Sequence, residues 1–328
     1  MLLKKLKSNH TLNFILFPLL GILFWMKNLV SPKTYPFFRG EEKNLLYSVV
    51  HELLKHSVLL QNFVALILVI ILAIIILQIN NRYNFIRIRT MIPATLFVIT
   101  AGGFTDLQSL HPVHFGAVFF LIALYRLLSA CDKPQPYSAA FDSGFFLGVS
   151  TLFYLNLILM LPAFLIGIGI LSRENKHRNF VVMFIGFILP FVFGASYAFY
   201  TDSIPEVSEI IRLNILTLND HFSASIAMQI YSGFLLILTL LGSIIIIKDY
   251  DTKKVSTRKF YIIFFMIFLF SVCSLIFMPA VSQEMLIITL VPFTFLTTNF
   301  FIFLKNRFWG EFLFLLLFLM VAVLQIVS

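Results

Sequence analysis

The sequence predicts an all-α fold, a polytopic transmembrane helix bundle of about eleven spans, from two observations. The first is composition: hydrophobic residues make up 60% of the 328 residues and charged residues 12%, with a mean hydropathy of +0.96. A soluble domain of this length has too little interior to bury so much apolar surface. The second is the position of the lysines and arginines, which cluster between every second pair of long apolar runs.

The basic clusters set the predicted orientation, because short cytoplasmic loops are rich in Lys and Arg. They are Lys4/Lys5/Lys7, Arg82/Arg87/Arg89, Arg126/Lys133, Arg173/Lys176/Arg178, Lys248/Lys253/Lys254/Arg258/Lys259 and Lys305/Arg307. Placing all of them on one side puts the N-terminus in the cytoplasm and leaves most acids and histidines on the outer side. The net charge of +9 is therefore interpreted as a topology signal, and no nucleic-acid partner is expected.

The predicted spans follow one another along the whole chain, each approaching the length of about 20 apolar residues that crosses a bilayer. They are 11–30, 58–79, 90–105, 113–130, 140–155, 157–171, 180–200, 226–247, 260–278, 285–304 and 308–327. The run 140–171 is too long for one span, and a break near Asn156 keeps every basic cluster on the inner side. No linker divides the chain, so residues 1–328 are predicted to form a single integral membrane domain.

Two outer loops carry helical patterns. Leucines and valines recur at helical spacing between positions 45 and 54, which predicts an amphipathic helix lying in the membrane interface. In the loop 201–225, Pro205 and Glu206 resemble a helix start, and the apolar residues from 210 to 216 supply one face. This second interfacial helix could cover a cavity.

Adjacent acids in the first outer loop are the first candidate catalytic residues. Arg39-Gly40-Glu41-Glu42 precedes the predicted interfacial helix. Glu41 or Glu42 could project into a cavity as a general base, because a neighbouring carboxylate raises the pKa of such a group towards that task. The alternative is that both acids only stabilise the N-terminus of the helix. Arg39 is assigned to substrate binding beside them.

A short outer turn carries the second candidate site. Asp106 is followed by His111-Pro112-Val113-His114, and Pro112 suits the first turn of a helix. Asp106 is a candidate catalytic acid, and the two histidines are candidate substrate-binding residues that could hold a phosphate, a divalent ion or a proton. The alternative is that the histidines are satisfied by water and backbone. No cofactor motif is identified, and a divalent metal is left as an alternative.

Arg212 and Glu284 complete the set of candidate substrate-binding residues. Arg212 is the basic residue of the loop 201–225 and could contact an anion, although an ion pair with Glu209 three residues earlier is the preferred interpretation. Glu284 stands where a span begins, and an acid in or near the membrane is a functional candidate by default. The alternative places Glu284 at a helix N-terminus in the interface.

Several enzyme classes are disfavoured because their motifs are absent from the sequence. There is no phosphate-binding Walker A loop, no dinucleotide-binding glycine motif, no His-Glu-x-x-His and no Gly-x-Ser-x-Gly. No span carries a row of ionisable residues such as a proton pump would need. Cys131 and Cys273 lie in a predicted loop and a predicted span, so neither a disulfide nor a metal site is expected from them.

One predicted span is followed by an outer loop with Glu41 and Glu42, by an interfacial helix, and by a bundle with His111-Pro112 in an outer turn. This layout resembles that of the GT-C membrane glycosyltransferases. The resemblance covers residues 1–172, and residues 173–328 form additional predicted spans. The Asp-x-Asp motif of that family is missing from the first outer loop of this chain. It implies a polyprenyl-phosphate-linked sugar donor, a membrane lipid, as partner. It also implies Glu41 or Glu42 as the base or a metal ligand, and Asp106 or His111 at the donor phosphate.

The whole chain is also similar to an uncharacterised family of bacterial polytopic inner-membrane proteins. That resemblance implies a bacterial inner (cytoplasmic) membrane location with the polar site facing the periplasm. Two other functions stay open at this point. One is a non-catalytic membrane subunit of an envelope assembly or secretion complex, whose protein partners the sequence does not name. The other is a transporter or lipid flippase, with Pro93, Pro162, Pro190, Pro292 and the break near Asn156 marking discontinuous helices.

Overall fold

The predicted all-α fold is confirmed by the computed structural model, which describes residues 11–37, 40–86, 90–216, 225–304 and 306–327. Within these ranges there are thirteen α-helices and no strand. The first seven are α1 (Thr11–Val30), α2 (Tyr47–Leu54), α3 (Val58–Tyr83), α4 (Ile92–Gly102), α5 (Pro112–Leu128), α6 (Tyr137–Phe153) and α7 (Leu161–Leu171). The others are α8 (Lys176–Tyr200), α9 (Ile204–Leu216), α10 (Ile226–Lys248), α11 (Val255–Phe277), α12 (Leu286–Phe303) and α13 (Arg307–Val327).

Six helices in the described part of the chain are long and apolar enough to cross a membrane. They are α3, α8, α10, α11, α12 with the turn before it, and α13. Four shorter apolar helical stretches, Phe14–Val30, Ile92–Gly102, Pro112–Leu128 and Leu155–Leu171, fall below that length. These helices support a membrane-embedded protein. The count of about eleven spans and the cytoplasmic position of the N-terminus stay predictions.

The predicted break in the run 140–171 is confirmed. Helix α6 ends at Phe153, and a 3₁₀ helix at Leu155–Met160 leads into α7. The amide of Asn156 donates to the Tyr154 hydroxyl at 3.2 Å and to the Ala280 carbonyl at 3.4 Å. These bonds tie the break to the turn before α12, because a buried amide is stable only when it is hydrogen-bonded.

Both predicted loop helices are present. Helix α2 buries Tyr47 and exposes Val49 and Leu53. Helix α9 begins one residue before Pro205, close to the predicted helix start. The two loops are joined by a hydrogen bond of 3.2 Å from the Asn214 amide to the Asn44 side-chain oxygen. Helix α9 therefore packs on the first long loop.

Helix α12 lies at the centre of the bundle, because every residue from Leu286 to Ile302 is buried. Its threonines satisfy their hydroxyls within the helix: Thr294 and Thr298, for example, donate to carbonyls four residues earlier at 2.7 and 2.6 Å. The helix is preceded by a short 3₁₀ turn, Gln283–Met285. This turn delivers Glu284 to one end of the bundle interior.

Helices α6 and α8 meet backbone to backbone through glycines. A Cβ atom at Gly144 would lie 2.0 Å from the Met183 carbonyl oxygen, and one at Gly186 would lie 2.3 Å from the Phe141 carbonyl oxygen. Small residues at such positions let membrane helices approach closely. This contact joins the part of the chain before residue 172 to the part after it.

Candidate functional site

Three loops that are far apart in the chain converge at one end of the bundle. The first long loop contributes Tyr35 and Glu41, the turn before α5 contributes His111, and the turn before α12 contributes Glu284. The ligand atoms of Glu41, His111 and Glu284 all lie within 4.8 Å of one another. Their exposures are 3%, 0% and 0%. We call these three residues the carboxylate–histidine cluster.

The local backbone turns Glu41 inwards. Gly40 has φ +91°, a left-handed conformation that favours glycine. A 3₁₀ turn at Glu41–Lys43 follows, in which Glu41 is buried, Glu42 is half-buried and Lys43 is exposed. The structure thus separates the two adjacent acids and brings only Glu41 into the cluster.

His111 holds its position as the N-cap of α5. Its Nδ1 accepts the Val113 backbone N–H at 3.2 Å, so in the neutral ring the proton is on Nε2. Nε2 lies 3.3 Å from Glu41 Oε2 and donates to that carboxylate. The ring therefore fixes both the start of a helix and the orientation of an acid from another loop.

Glu284 is fully buried beside this pair. One carboxylate oxygen, Oε1, accepts a hydrogen bond from the Tyr35 hydroxyl. The other oxygen, Oε2, and the side-chain oxygen of Gln283 have no hydrogen-bond partner among the described residues. Buried acceptors normally find a donor, so these two oxygens are the acceptors of the site that the described residues leave without one.

Tyr35 was not predicted as a site residue. Its ring lies 4.7 Å from the His111 ring between centroids. Burial raises the pKa of the Tyr35 hydroxyl well above its usual range, and the nearby carboxylates of Glu284 and Glu41 raise it further. The hydroxyl therefore remains a proton donor to Glu284 at any physiological pH.

Asp106 is connected to the cluster through Gln283 and stays exposed. The Gln283 amide donates to Asp106 Oδ2 at 3.1 Å and to the Tyr35 hydroxyl at 3.3 Å. Asp106 also borders a polar pocket of about 270 Å³. The pocket is lined by Lys27, Lys33, Thr34, Pro36, Asp106, Gln108 and others. Thr34 and Pro36, the chain neighbours of Tyr35, both line this pocket, so the pocket lies beside the cluster.

The other predicted site residues lie elsewhere. Both His114 ring nitrogens bond to backbone: Nε2 to the Leu107 carbonyl at 3.0 Å and Nδ1 to the His111 N–H at 3.2 Å. Arg212 is exposed and binds Glu209 at 2.9 Å, which is the ion pair favoured from the sequence. Arg39 lies outside the described residues. His114 and Arg212 thus make structural contacts in this conformation.

The cluster offers two carboxylate oxygens and one imidazole nitrogen, a donor set that suits a divalent ion. His111 fits this role poorly, because metal binding through Nε2 would move the ring proton to Nδ1. A protonated Nδ1 would then face the Val113 N–H, a second donor, and the helix cap would be lost. The geometry fits a proton held between the imidazole and the carboxylate better than a metal ion.

Comparison of this chain with protein-family models, with curated proteins and with solved structures finds no match. The resemblances to GT-C glycosyltransferases and to a bacterial inner-membrane family therefore stay expectations.

Proposed function

We propose that the protein is a membrane-embedded glycosyltransferase that uses a polyprenyl-phosphate-linked sugar, with its reaction centre at the carboxylate–histidine cluster. The observation that supports this most is the burial of Glu41, His111 and Glu284 within 4.8 Å of one another. Two buried carboxylates side by side cost stability, and membrane proteins keep such groups mainly where they have a function. A purely scaffolding subunit has no need for this arrangement.

Glu41 is the residue proposed to act as the base. In the transfer step the oxygen of the acceptor hydroxyl bonds to the anomeric carbon of the sugar, and the hydroxyl proton passes to the Glu41 carboxylate. The bond from that carbon to the phosphate oxygen breaks, and its electron pair leaves on the lipid phosphate. His111 donates to Glu41 Oε2, and in this proposal that hydrogen bond holds the carboxylate in place while it acts as the base.

The unpartnered acceptor atoms support a hydroxylated substrate. Glu284 Oε2 and Gln283 Oε1 are both buried without a donor among the described residues, and sugar hydroxyls would supply donors to both. The polar pocket beside Asp106 provides an entry, with Lys27 and Lys33 at its wall to attract the negative phosphate. In this proposal Tyr35, whose hydroxyl contacts both Glu284 and Gln283, moves aside when the substrate passes from the pocket to the cluster.

The test compares two adjacent acids. Purified Glu41→Gln and Glu42→Gln proteins are incubated with a radiolabelled polyprenyl-phosphate sugar and a mixture of cell-envelope glycan acceptors, and labelled product is counted. We expect Glu41→Gln to lose about a hundredfold or more of the transfer rate, because a general base contributes about 10²–10⁴-fold. Glu42→Gln should stay close to the wild type. Equal activity of the two variants, or no transfer by the wild-type protein, would reject the proposal.

The proposed location is a bacterial inner membrane with the cluster facing the periplasm. Two exposed loop residues test this orientation: Asp202 in the predicted outer loop and Lys254 in the predicted inner loop. In a background in which both native cysteines are serine, Asp202→Cys should react with a membrane-impermeant maleimide on intact spheroplasts. Lys254→Cys should react only after lysis, and the reverse pattern would place the cluster on the cytoplasmic side.

A further inference from the structure

A polar cleft lies at the end of the bundle opposite to the carboxylate–histidine cluster. The cluster takes Glu284 from the turn before α12, whereas the cleft is lined by Phe303, the last residue of that helix. Helix α12 has 18 residues, so about 27 Å of helix separates the two sites. The other walls of the cleft come from the segments 83–85 and 249–257. Its volume is about 550 Å³.

Basic side chains line the cleft. Each of its walls lies in or beside one of the basic clusters of the sequence. Lys253 and Lys254 contribute to the lining directly, and Asp249 is the acid among the described residues that do so. The ammonium group of Lys253 lies 5.5 Å from the centroid of the Tyr261 ring and 5.6 Å from that of the Phe303 ring. These cation–π contacts hold a positive charge at the cleft wall.

The N-terminus of α11 forms one side of the cleft. Lys254 is the N-cap of this helix, and among the described residues no side chain caps it. The first backbone N–H groups of a helix have no carbonyl of an earlier turn to bind. Ser256 and Thr257, in the first turn, both line the cleft. Such N–H groups, together with the helix dipole, favour a negative group beside them.

The Thr257 hydroxyl is a second, independent indication of a ligand. Thr257 is 8% exposed, and no hydrogen bond joins its hydroxyl to any described residue. Thr294 and Thr298 show the usual alternative, a bond to the carbonyl four residues earlier. For Thr257 that carbonyl belongs to Lys253, and it accepts from the Arg258 guanidinium at 2.9 Å. A buried hydroxyl normally has a partner, and a ligand in the cleft can supply one to Thr257.

We infer that this cleft binds the phosphate group of a larger molecule. A phosphate monoester presents three strong acceptor oxygens, and the cleft offers donors from two lysines, two hydroxyls and the start of α11. A carboxylate, with two oxygens, would leave several of these donors unused. A metal cation would face Lys253 and Lys254 with Asp249 as the acid that lines the site, so an anion fits better.

The size of the cleft indicates that the ligand is more than a phosphate ion. A volume of about 550 Å³ lies within the range of small-molecule sites, about 300–1,000 Å³. The phosphate belongs either to a soluble molecule or to the head of a membrane lipid, and both sources present the same group to the same donors. The inference does not depend on the proposed function, because the two sites lie at opposite ends of α12.

The test measures ligand binding to the full-length protein in nanodiscs of phosphatidylcholine. Inorganic phosphate is the soluble probe, and nanodiscs with increasing amounts of phosphatidic acid present the same group on a lipid. The melting temperature is recorded at constant ionic strength, because a ligand that binds the native state raises it as the ligand concentration rises. We expect a saturable rise with at least one of the two probes, and none with acetate at the same concentration.

Three variants locate the binding site. Thr257→Val removes the hydroxyl and keeps the shape of the side chain, and it should weaken binding about tenfold, as the loss of a hydrogen bond to a charged group does. Lys254→Gln should weaken binding about threefold, because an exposed charge contributes less. Lys248→Gln removes the same charge from an exposed position that does not line the cleft, and it should bind like the wild type.

The outcomes separate the two sources of phosphate and can reject the site. A rise with inorganic phosphate supports a soluble ligand, and a rise with phosphatidic acid alone supports a lipid head. No rise with either probe would overturn the inference, and so would equal weakening in Lys254→Gln and Lys248→Gln. Ser256→Ala is the second hydroxyl variant if Thr257→Val does not fold. Binding that neither hydroxyl variant weakens would place the phosphate outside the cleft.

Discussion

Glu41 Oε2 and His111 Nε2 lie 3.3 Å apart although their residues are 70 positions apart in the chain. The contact is directional, because the other ring nitrogen of His111 accepts the N–H of Val113. One side chain therefore connects the start of α5 to an acid in the first long loop.

Two substitutions of His111 should have different effects. Asparagine is a good N-cap, so His111→Asn should keep the start of α5 while it loses the contact with Glu41. His111→Ala loses both and should unfold more easily than His111→Asn by about 1 kcal/mol. Thermal unfolding in detergent measures the difference in stability, and both variants should be deficient in transfer. Full activity of His111→Asn would show that the contact with Glu41 is dispensable.

Replacing Glu284 by glutamine should stabilise the protein. The amide keeps an oxygen that accepts from Tyr35, removes one of two neighbouring buried carboxylates and supplies a donor towards Glu41. We expect unfolding to become harder by about 1 kcal/mol, since removing a buried charge of this kind is often stabilising. Transfer should fall in the same variant. A lower melting temperature would indicate that Glu284 is bound to a partner that needs its charge.

Removal of metal should leave the cluster unchanged. The proton on His111 Nε2 already occupies the direction towards Glu41, and a metal ion would have to displace it at the expense of the helix cap. Melting temperatures measured with EDTA, with Mn²⁺ and with Mg²⁺ should therefore agree within error. Saturable stabilisation by one of these ions in the wild type, absent from Glu284→Gln, would make the cluster a metal site.

The glycine contact between α6 and α8 should tolerate no side chain. Gly144→Ala would place a methyl group 2.0 Å from the Met183 carbonyl oxygen, so the helices must separate, at a cost of about 1–3 kcal/mol. Gly194→Ala on α8 is the control, because its nearest atom is 3.7 Å away. Thermal unfolding of the two purified variants should differ clearly. Equal stability would mean that the two helices are less closely packed.

Cys131 should react slowly at neutral pH. Burial and the neighbouring Asp132 carboxylate raise the pKa of its thiol to about 11. The reactive thiolate is therefore scarce at pH 8 and increases tenfold with each pH unit up to about 11. With Cys273 replaced by serine, the alkylation rate by iodoacetamide should follow this profile, and Asp132→Asn should shift it to lower pH. A plateau near pH 9 in the parent would contradict the raised pKa.

The sequence predicted those features that depend on local pattern. Apolar runs located the helices, and the length of the run 140–171 located the break at Asn156. Pro112 predicted the first turn of α5, and the spacing of Glu209 and Arg212 predicted their ion pair. Each of these features involves residues within a few turns of one another, where helical periodicity determines the geometry.

The site itself could be predicted only in part. Glu41, His111 and Glu284 were all candidates, but nothing local indicates that they meet, because the contact depends on how three loops pack. Tyr35 and Gln283 were missed, since neutral side chains in loops give no distinctive signal. Glu41 and Glu42 could not be told apart from the sequence, because the left-handed turn at Gly40 decides which of them points inwards.

The long separation of Tyr35 and Glu284, 249 positions, has a consequence for biosynthesis. The ribosome releases the first long loop well before the segment that completes its hydrogen bonds has been made. Until α12 is inserted, Tyr35 and Glu41 lack one of the partners that they have in the finished protein. Protease sensitivity of this loop in nascent chains of increasing length should therefore persist until residues beyond 284 have left the insertion machinery. Such a loop would report the moment at which the turn before α12 joins the rest of the bundle.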